Sequence, residues 1–307
     1  MEEFTRISVE IKDKGRPKER PPKTHWRIEM IKNAMKALQY ASPRRVARVV
    51  WHYFTMPGRI NFTEKQKELI SRAEQNVLYF KGDKIYTYKW GKGGPKILLC
   101  HGWRSKAADF RRMIEALLAS GFEVHAIDLR AHGQSEGKHT SMPEYRDILK
   151  DYFIRNGRFH TVVGYSLGGI SAGITLSEMH PELQPAKFFI IASPPYVSYF
   201  FRDVINEVGL NQPVYHKMAE MVNEVYHEPI DYFDLRDKKE QLSGIEKYLI
   251  YCENDRTIPF EKGLELSEAL DDSHFVHARG FGHYKIISHE EIIRYVVAHA
   301  SLLYHDQ

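Results

Sequence analysis

Two cysteines in 307 residues, Cys100 and Cys252, are too few for a disulfide framework. They form no Cys-x2-Cys pair and no His-x3-His spacing accompanies them, so no metal site is expected. Long apolar runs are missing as well. None approaches the ~18 residues that a membrane span requires. The start, MEEFTRISVEIKDKGRPKERPPK, has no apolar signal core. The expectation is a cytoplasmic chain. Gly91-Lys92-Gly93-Gly94-Pro95-Lys96 lacks the Gly-Lys-[Ser/Thr] ending of a phosphate loop and reads as a turn between strands. Net charge is small, +4, but unevenly placed. Residues 1–80 hold 17 Lys/Arg against 9 Asp/Glu, and the remainder 27 against 31. Basic excess alone does not make a nucleic-acid site, and no nucleic-acid partner is expected. Arg44, Arg45 and Arg48 beside Trp51 leave peripheral contact with an anionic lipid surface open.

What is present falls into three parts. Residues 1–24 are charged and carry Pro17, Pro21 and Pro22, and read as a flexible basic arm. Residues 25–75 read as a helical extension. Ile28, Ile31, Met35 and Leu38 recur at helical spacing, Pro43 can open a second helix, and Thr63-Glu64 can open a third. Beyond residue 76 the texture changes. Val77–Phe80 and Ile85–Trp90 read as strands around a Gly82-Asp83 turn. Apolar runs at 97–100, 124–127, 161–163, 188–192, 248–251 and 275–277 then alternate with amphipathic stretches at 107–120, 141–156, 167–180, 260–270 and 288–303. That rhythm is α/β: a mostly parallel sheet with helices on both faces. The interval at about 194–246 has no strand signal and reads as an inserted helical cap.

The chemistry concentrates at strand ends. Gly164-Tyr165-Ser166-Leu167-Gly168 follows a β-branched strand and precedes a helical stretch, the context of a nucleophile elbow. Small neighbours let strand and helix approach closely around a strained serine. Taken alone, the pattern also fits a glycine-rich turn with an incidental serine. Cys100-His101-Gly102-Trp103 ends an earlier strand, and a loop there can present the Trp103 N–H to an oxyanion, with Leu167 N–H as the second donor. Glu253-Asn254-Asp255 ends a later strand in carboxylates, and Gly280-Phe281-Gly282-His283 sets a histidine in a glycine-flanked loop. Ser166, Asp255 and His283 therefore occur in the order Ser…Asp…His.

Over residues 76–307 these segments, with the stretch Asp128–Gly137, resemble the α/β-hydrolase superfamily. The resemblance implies its fold, a twisted, mostly parallel sheet with a small helical cap, here preceded by the helical extension. It also implies a serine nucleophile. Of Glu253 and Asp255, it favours Asp255 as the acid, from its position before Pro259. It makes Asp128 a brace of its own loop, His101 a support of the oxyanion loop, His132 a loop residue near the mouth, and Arg256 an ordering residue of the acid loop. Cys252 stands where many members carry glycine. The usual strand order puts the cysteines on the third and seventh strands, roughly 14 Å apart and beyond disulfide reach.

The implied reaction is acyl transfer to water on a small-molecule ester. Ser166 would be the nucleophile, His283 the base and Asp255 its orienter, with no cofactor or metal. Residues 196–246 hold 5 Lys/Arg against 10 Asp/Glu, and Val197, Phe201, Val204 and Val208 give one apolar helical face. If that face lines the pocket, a neutral ester of an apolar acid fits best; otherwise it only packs. A thioesterase or amidase with the same triad, a cofactor-free lyase, and a non-catalytic receptor on this fold remain alternatives.

Overall fold

A computed structural model describes residues 7–8 and 26–301. Nine strands occur in it: β1 Ile7–Ser8, β2 Glu74–Phe80, β3 Asp83–Trp90, β4 Lys96–Cys100, β5 Glu123–Ile127, β6 Thr161–Tyr165, β7 Lys187–Ile191, β8 Glu246–Cys252 and β9 Ser273–Ala278. They form one sheet in the order β1-β9-β8-β7-β6-β4-β5-β3-β2. β3 runs antiparallel to both β2 and β5, and every other pairing is parallel. Apart from Ile7–Ser8, the 1–24 arm lies outside the described residues.

The helices are α1 Trp26–Ala41, α2 Pro43–Phe54, α3 Glu64–Ser71, α4 Arg111–Ala119, α5 Met142–Asn156, α6 Leu167–Ser177, α7 Ser198–Val208, α8 Gln212–Tyr226, α9 Phe260–Ala269, α10 Gly282–Lys285 and α11 Glu290–Ser301. Among the described residues none is long and apolar enough to cross a membrane. In the central strands Ile97, Leu99, Val163, Phe189 and Ile250 join a core with Met113, Leu117, Ile292 and Val296 of α4 and α11. The alternate residues Leu98, Cys100, Val162, Phe188 and Leu249 point to the other face and are fully buried too. Such strands read as continuous apolar runs because both sheet faces are covered.

Two local readings differ from the sequence expectation. The β2–β3 hairpin turns at Lys81-Gly82, both with positive φ, because Phe80 pairs with Asp83. β2 also starts earlier than expected, at Glu74, which pairs with Lys89, so α3 stops at Ser71. Cys100 and Cys252 are buried free thiols on β4 and β8, three strands apart.

The chain divides into two compact units. Of the described residues, the first comprises 7–8, 57–195 and 235–301 and contains the sheet. α3 belongs to it: Leu69 and Ile70 enter its core, and the Trp90 indole donates to Leu69 O at 3.0 Å. The second unit joins the described residues 26–56 to 196–234. Within it Phe201 of α7 meets Trp51 and Phe54 of α2 edge-on, with ring centroids 6.0 and 5.1 Å away. Gln39 of α1 accepts from Asn211 N–H at 2.7 Å, and Arg44 makes a two-pronged ion pair with Glu224 at 2.8 and 2.9 Å.

The two kinds of contact differ in weight. Phe201 is 2% exposed, so Phe201→Ala leaves a cavity and should cost about 3–5 kcal/mol. Arg44 and Glu224 are each about half exposed, and Arg44→Ala should cost less than about 1 kcal/mol. Denaturant midpoints of the two variants test this; equal losses would refute it.

Candidate active site

The elbow is built from the strand upward. β6 ends at Tyr165, Ser166 sits in the turn at φ 53° and ψ −124°, and α6 starts at Leu167. A β-carbon at Gly168 would stand 2.1 Å from the Cys100 carbonyl oxygen, so only glycine allows α6 to start this close to the end of β4. Ser166 N–H donates to Ile191 O of β7 at 2.9 Å, and Gly169 N–H donates to Ser166 O at the same distance. The serine is thus held in the left-handed region from both sides, a backbone state that persists only where the surroundings impose it.

Ser166, His283 and Asp255 are brought together. Ser166 Oγ lies 3.1 Å from His283 Nε2, and His283 Nδ1 lies 2.7 Å from Asp255 Oδ2. All three residues are buried. The other Asp255 oxygen accepts N–H bonds from Thr257 at 2.8 Å and Ile258 at 2.9 Å, which aims the carboxylate at the ring. Glu253 is turned elsewhere, to His277 at 2.7 Å and Arg279 at 3.3 Å. Cys252 does not disturb the loop, since Asp255 N–H donates to its carbonyl at 3.0 Å. Arg256 is exposed and pairs with no acid among the described residues. His283 sits in the one-turn helix α10 rather than in an open loop. Its backbone is held by Tyr165, whose hydroxyl donates to His283 O at 3.1 Å. That brace was not read from the sequence; the residue before the serine was its only clue.

The loop after β4 lies against the serine. A β-carbon at Gly102 would stand 2.8 Å from Ser166 Cβ, so Trp103 N–H follows directly on that contact. Leu167 opens α6, and its N–H belongs to the first turn, which has no intrahelical acceptor. Two histidines hold these loops. His101 Nδ1 donates to Gly102 O at 2.8 Å while its Nε2 accepts Leu129 N–H at 2.9 Å. His132 Nδ1 donates to Arg130 O at 3.0 Å while its Nε2 accepts Arg104 N–H at 3.0 Å. Each ring has one donor and one acceptor nitrogen in use, which specifies the neutral imidazole. Burial pushes His101 down to about 4 and His132 to about 3, the latter helped by His101 beside it. Asp128 braces its own loop: it is buried, accepts from Ala107 N–H, Gln134 N–H and the Tyr88 hydroxyl at 2.7–2.8 Å, and burial raises its pKa. Arg130 is tied to Asp83 and Glu144.

The neutral histidines carry a pH signature. An unfolded imidazole binds its proton near 6.5, but these two stay neutral in the fold until about 4 and 3. The stabilisation is complete above about 6.5 and is lost as pH falls from there toward the folded values. Each contributes a slope on the order of 1 kcal/mol per pH unit. Urea unfolding between pH 7 and 4.5 should show the decline, and His132→Asn should make it shallower. An unchanged slope in that variant would contradict the neutral pair.

The alpha/beta hydrolase family model matches residues 97–282. A pyrethroid hydrolase of Sphingobium wenxiniae is 31% identical over 99 residues, 31% of this chain and 35% of that protein, so the match spans about a third of that relative. The bifunctional esterase/perhydrolase DCH of Acinetobacter calcoaceticus is 25% identical over 253 residues, covering 66% of this chain and 90% of that protein. Among solved structures, an esterase of Pyrococcus furiosus superposes with a TM-score of 0.58 at 22% identity, covering 80% of this chain and 96% of the other. That last likeness is one of fold. With more than half of its residues matched by the family's own model, on the sheet order described above, the chain belongs to the alpha/beta hydrolase family.

Proposed function

We propose that this chain is a serine hydrolase that cleaves carboxylic esters through an acyl-enzyme on Ser166. The observation that carries the reading is the hydrogen-bonded series Ser166–His283–Asp255, at 3.1 and 2.7 Å. His283 Nε2 takes the Ser166 proton as Oγ attacks the ester carbonyl. Asp255 keeps the other ring proton on Nδ1 and stabilises the imidazolium. The N–H groups of Leu167 and Trp103 receive the oxyanion. His283 returns its proton to the leaving alcohol, then activates the water that releases the acid. The esterase activity named for the Acinetobacter relative supports ester over amide or thioester.

The finer expectation, an apolar and uncharged substrate, rests on residues 196–246. Phe201, on that apolar stripe, packs on Trp51 and Phe54, and Val197 and Ile205 are buried. That surface is largely used in packing its own unit, so the proposal extends to carboxylic esters as a class.

Ser166→Ala should abolish ester turnover and fluorophosphonate labelling while leaving the unfolding midpoint close to that of the parent. Asp255→Asn should lower kcat by on the order of 10⁴ through loss of the productive tautomer. Glu253→Gln should stay near the parent rate, because its partners are His277 and Arg279. Undiminished labelling of Ser166→Ala, or an inactive Glu253→Gln beside an active Asp255→Asn, would overturn the assignment.

A further inference from the structure

Beside the elbow lies a cavity of about 490 Å³. Two of its wall residues adjoin the reacting groups in sequence, Tyr165 preceding Ser166 and Tyr284 following His283, and a third, Trp103, is the residue assigned an oxyanion N–H. Its charged lining is Arg104, Lys106 and Asp109. Two of these compensate each other. Lys106 is 3% exposed, and its ammonium sits 3.1 Å from Asp109 and 5.2 Å above the Phe62 ring. Asp109 also accepts from the Ser105 hydroxyl at 2.7 Å, Gln66 Nε2 at 2.8 Å and Lys106 N–H at 3.1 Å. A carboxylate with four donors has little capacity left for a ligand.

Arg104 is what remains. Its side chain is exposed and meets no acid among the described residues, so the cavity carries one uncompensated positive charge. Its backbone is pinned at φ 53° by the bond from its N–H to His132 Nε2. A large side chain in the left-handed region costs roughly 1–2 kcal/mol that glycine would not, and among the described residues none takes up this guanidinium. Arg112 is not part of the lining; its guanidinium reaches the wall only to donate to Ser288 O at 2.8 Å.

We propose that this cavity is a carboxylate-binding subsite, in which Arg104 pairs with a free carboxylate on the same molecule that presents its ester to Ser166. The inference rests on the ester-hydrolase reading and names the substrate class within it: half-esters of dicarboxylic acids. A guanidinium matches a carboxylate by two parallel N–H···O bonds. A single net charge suits a monoanion better than a phosphate dianion.

Binding tests the subsite without turnover. Calorimetry on Ser166→Ala protein should find monomethyl adipate bound about tenfold tighter than dimethyl adipate at low salt, the size of one charge-assisted contact. Adding Arg104→Gln should erase that difference, and Arg104→Lys should retain part of it. In the active enzyme, the ratio of kcat/KM for mono-p-nitrophenyl adipate to that for its methyl ester should fall by about tenfold in Arg104→Gln, chiefly through KM. Equal binding of the two probes, or a difference that survives Arg104→Gln, would overturn the subsite. Arg104-dependent binding in a protein that never acylates would instead overturn the hydrolase reading and leave the subsite standing.

Discussion

A serine held at φ 53° between β6 and α6 is the constraint on which the site depends. That backbone state holds the serine at the end of β6 with its Oγ 3.1 Å from His283 Nε2. It is available only if α6 starts almost against the end of β4, and the 2.1 Å clearance at Gly168 leaves room for no side chain. The same proximity places the Gly102 loop on the serine. One turn therefore sets Ser166, the proposed nucleophile, the first-turn N–H of Leu167 and the position of Trp103 together.

The partners reach this turn from elements far apart in sequence, and each is held by backbone rather than by surface contacts. Asp255 is aimed by two N–H groups of its own loop, and His283 is held through its carbonyl by Tyr165. His101 and His132 act one layer further out. Each works as a neutral donor–acceptor bridge between adjoining loops, and a proton on either ring would set two donors against each other. Burial that keeps these rings neutral thus serves the geometry of the Gly102–Arg104 loop.

Much of this was legible in the sequence, for physical reasons. Strands covered on both faces must be continuous apolar runs, so β4, β6, β7 and β8 announced themselves. Tight approach demands glycine, so Gly164, Gly168 and Gly102 marked the elbow and its facing loop. Partnerships across the fold were less visible. Nothing in the composition of α2 says that Trp51 and Phe54 meet Phe201, since the apolar face of α7 has the same periodicity whatever it packs on. The separate roles of Glu253 and Asp255 rest on which way each side chain leaves the turn after β8, a direction that spacing alone does not encode. Arg104 and Lys106 were in plain view after Trp103, but only the ion pair with Asp109 separates the compensated cation from the uncompensated one.

The central claim is that Ser166 itself carries the acyl group. Rapid-quench mass spectrometry during turnover of p-nitrophenyl butyrate tests it most directly, most sensitively at mildly acidic pH, where deacylation slows. A butyryl adduct on the peptide containing Ser166, forming at the rate of the nitrophenol burst and decaying at the steady-state rate, is the predicted result. Steady release of nitrophenol with no adduct on that peptide, or with the adduct on another residue, would contradict it.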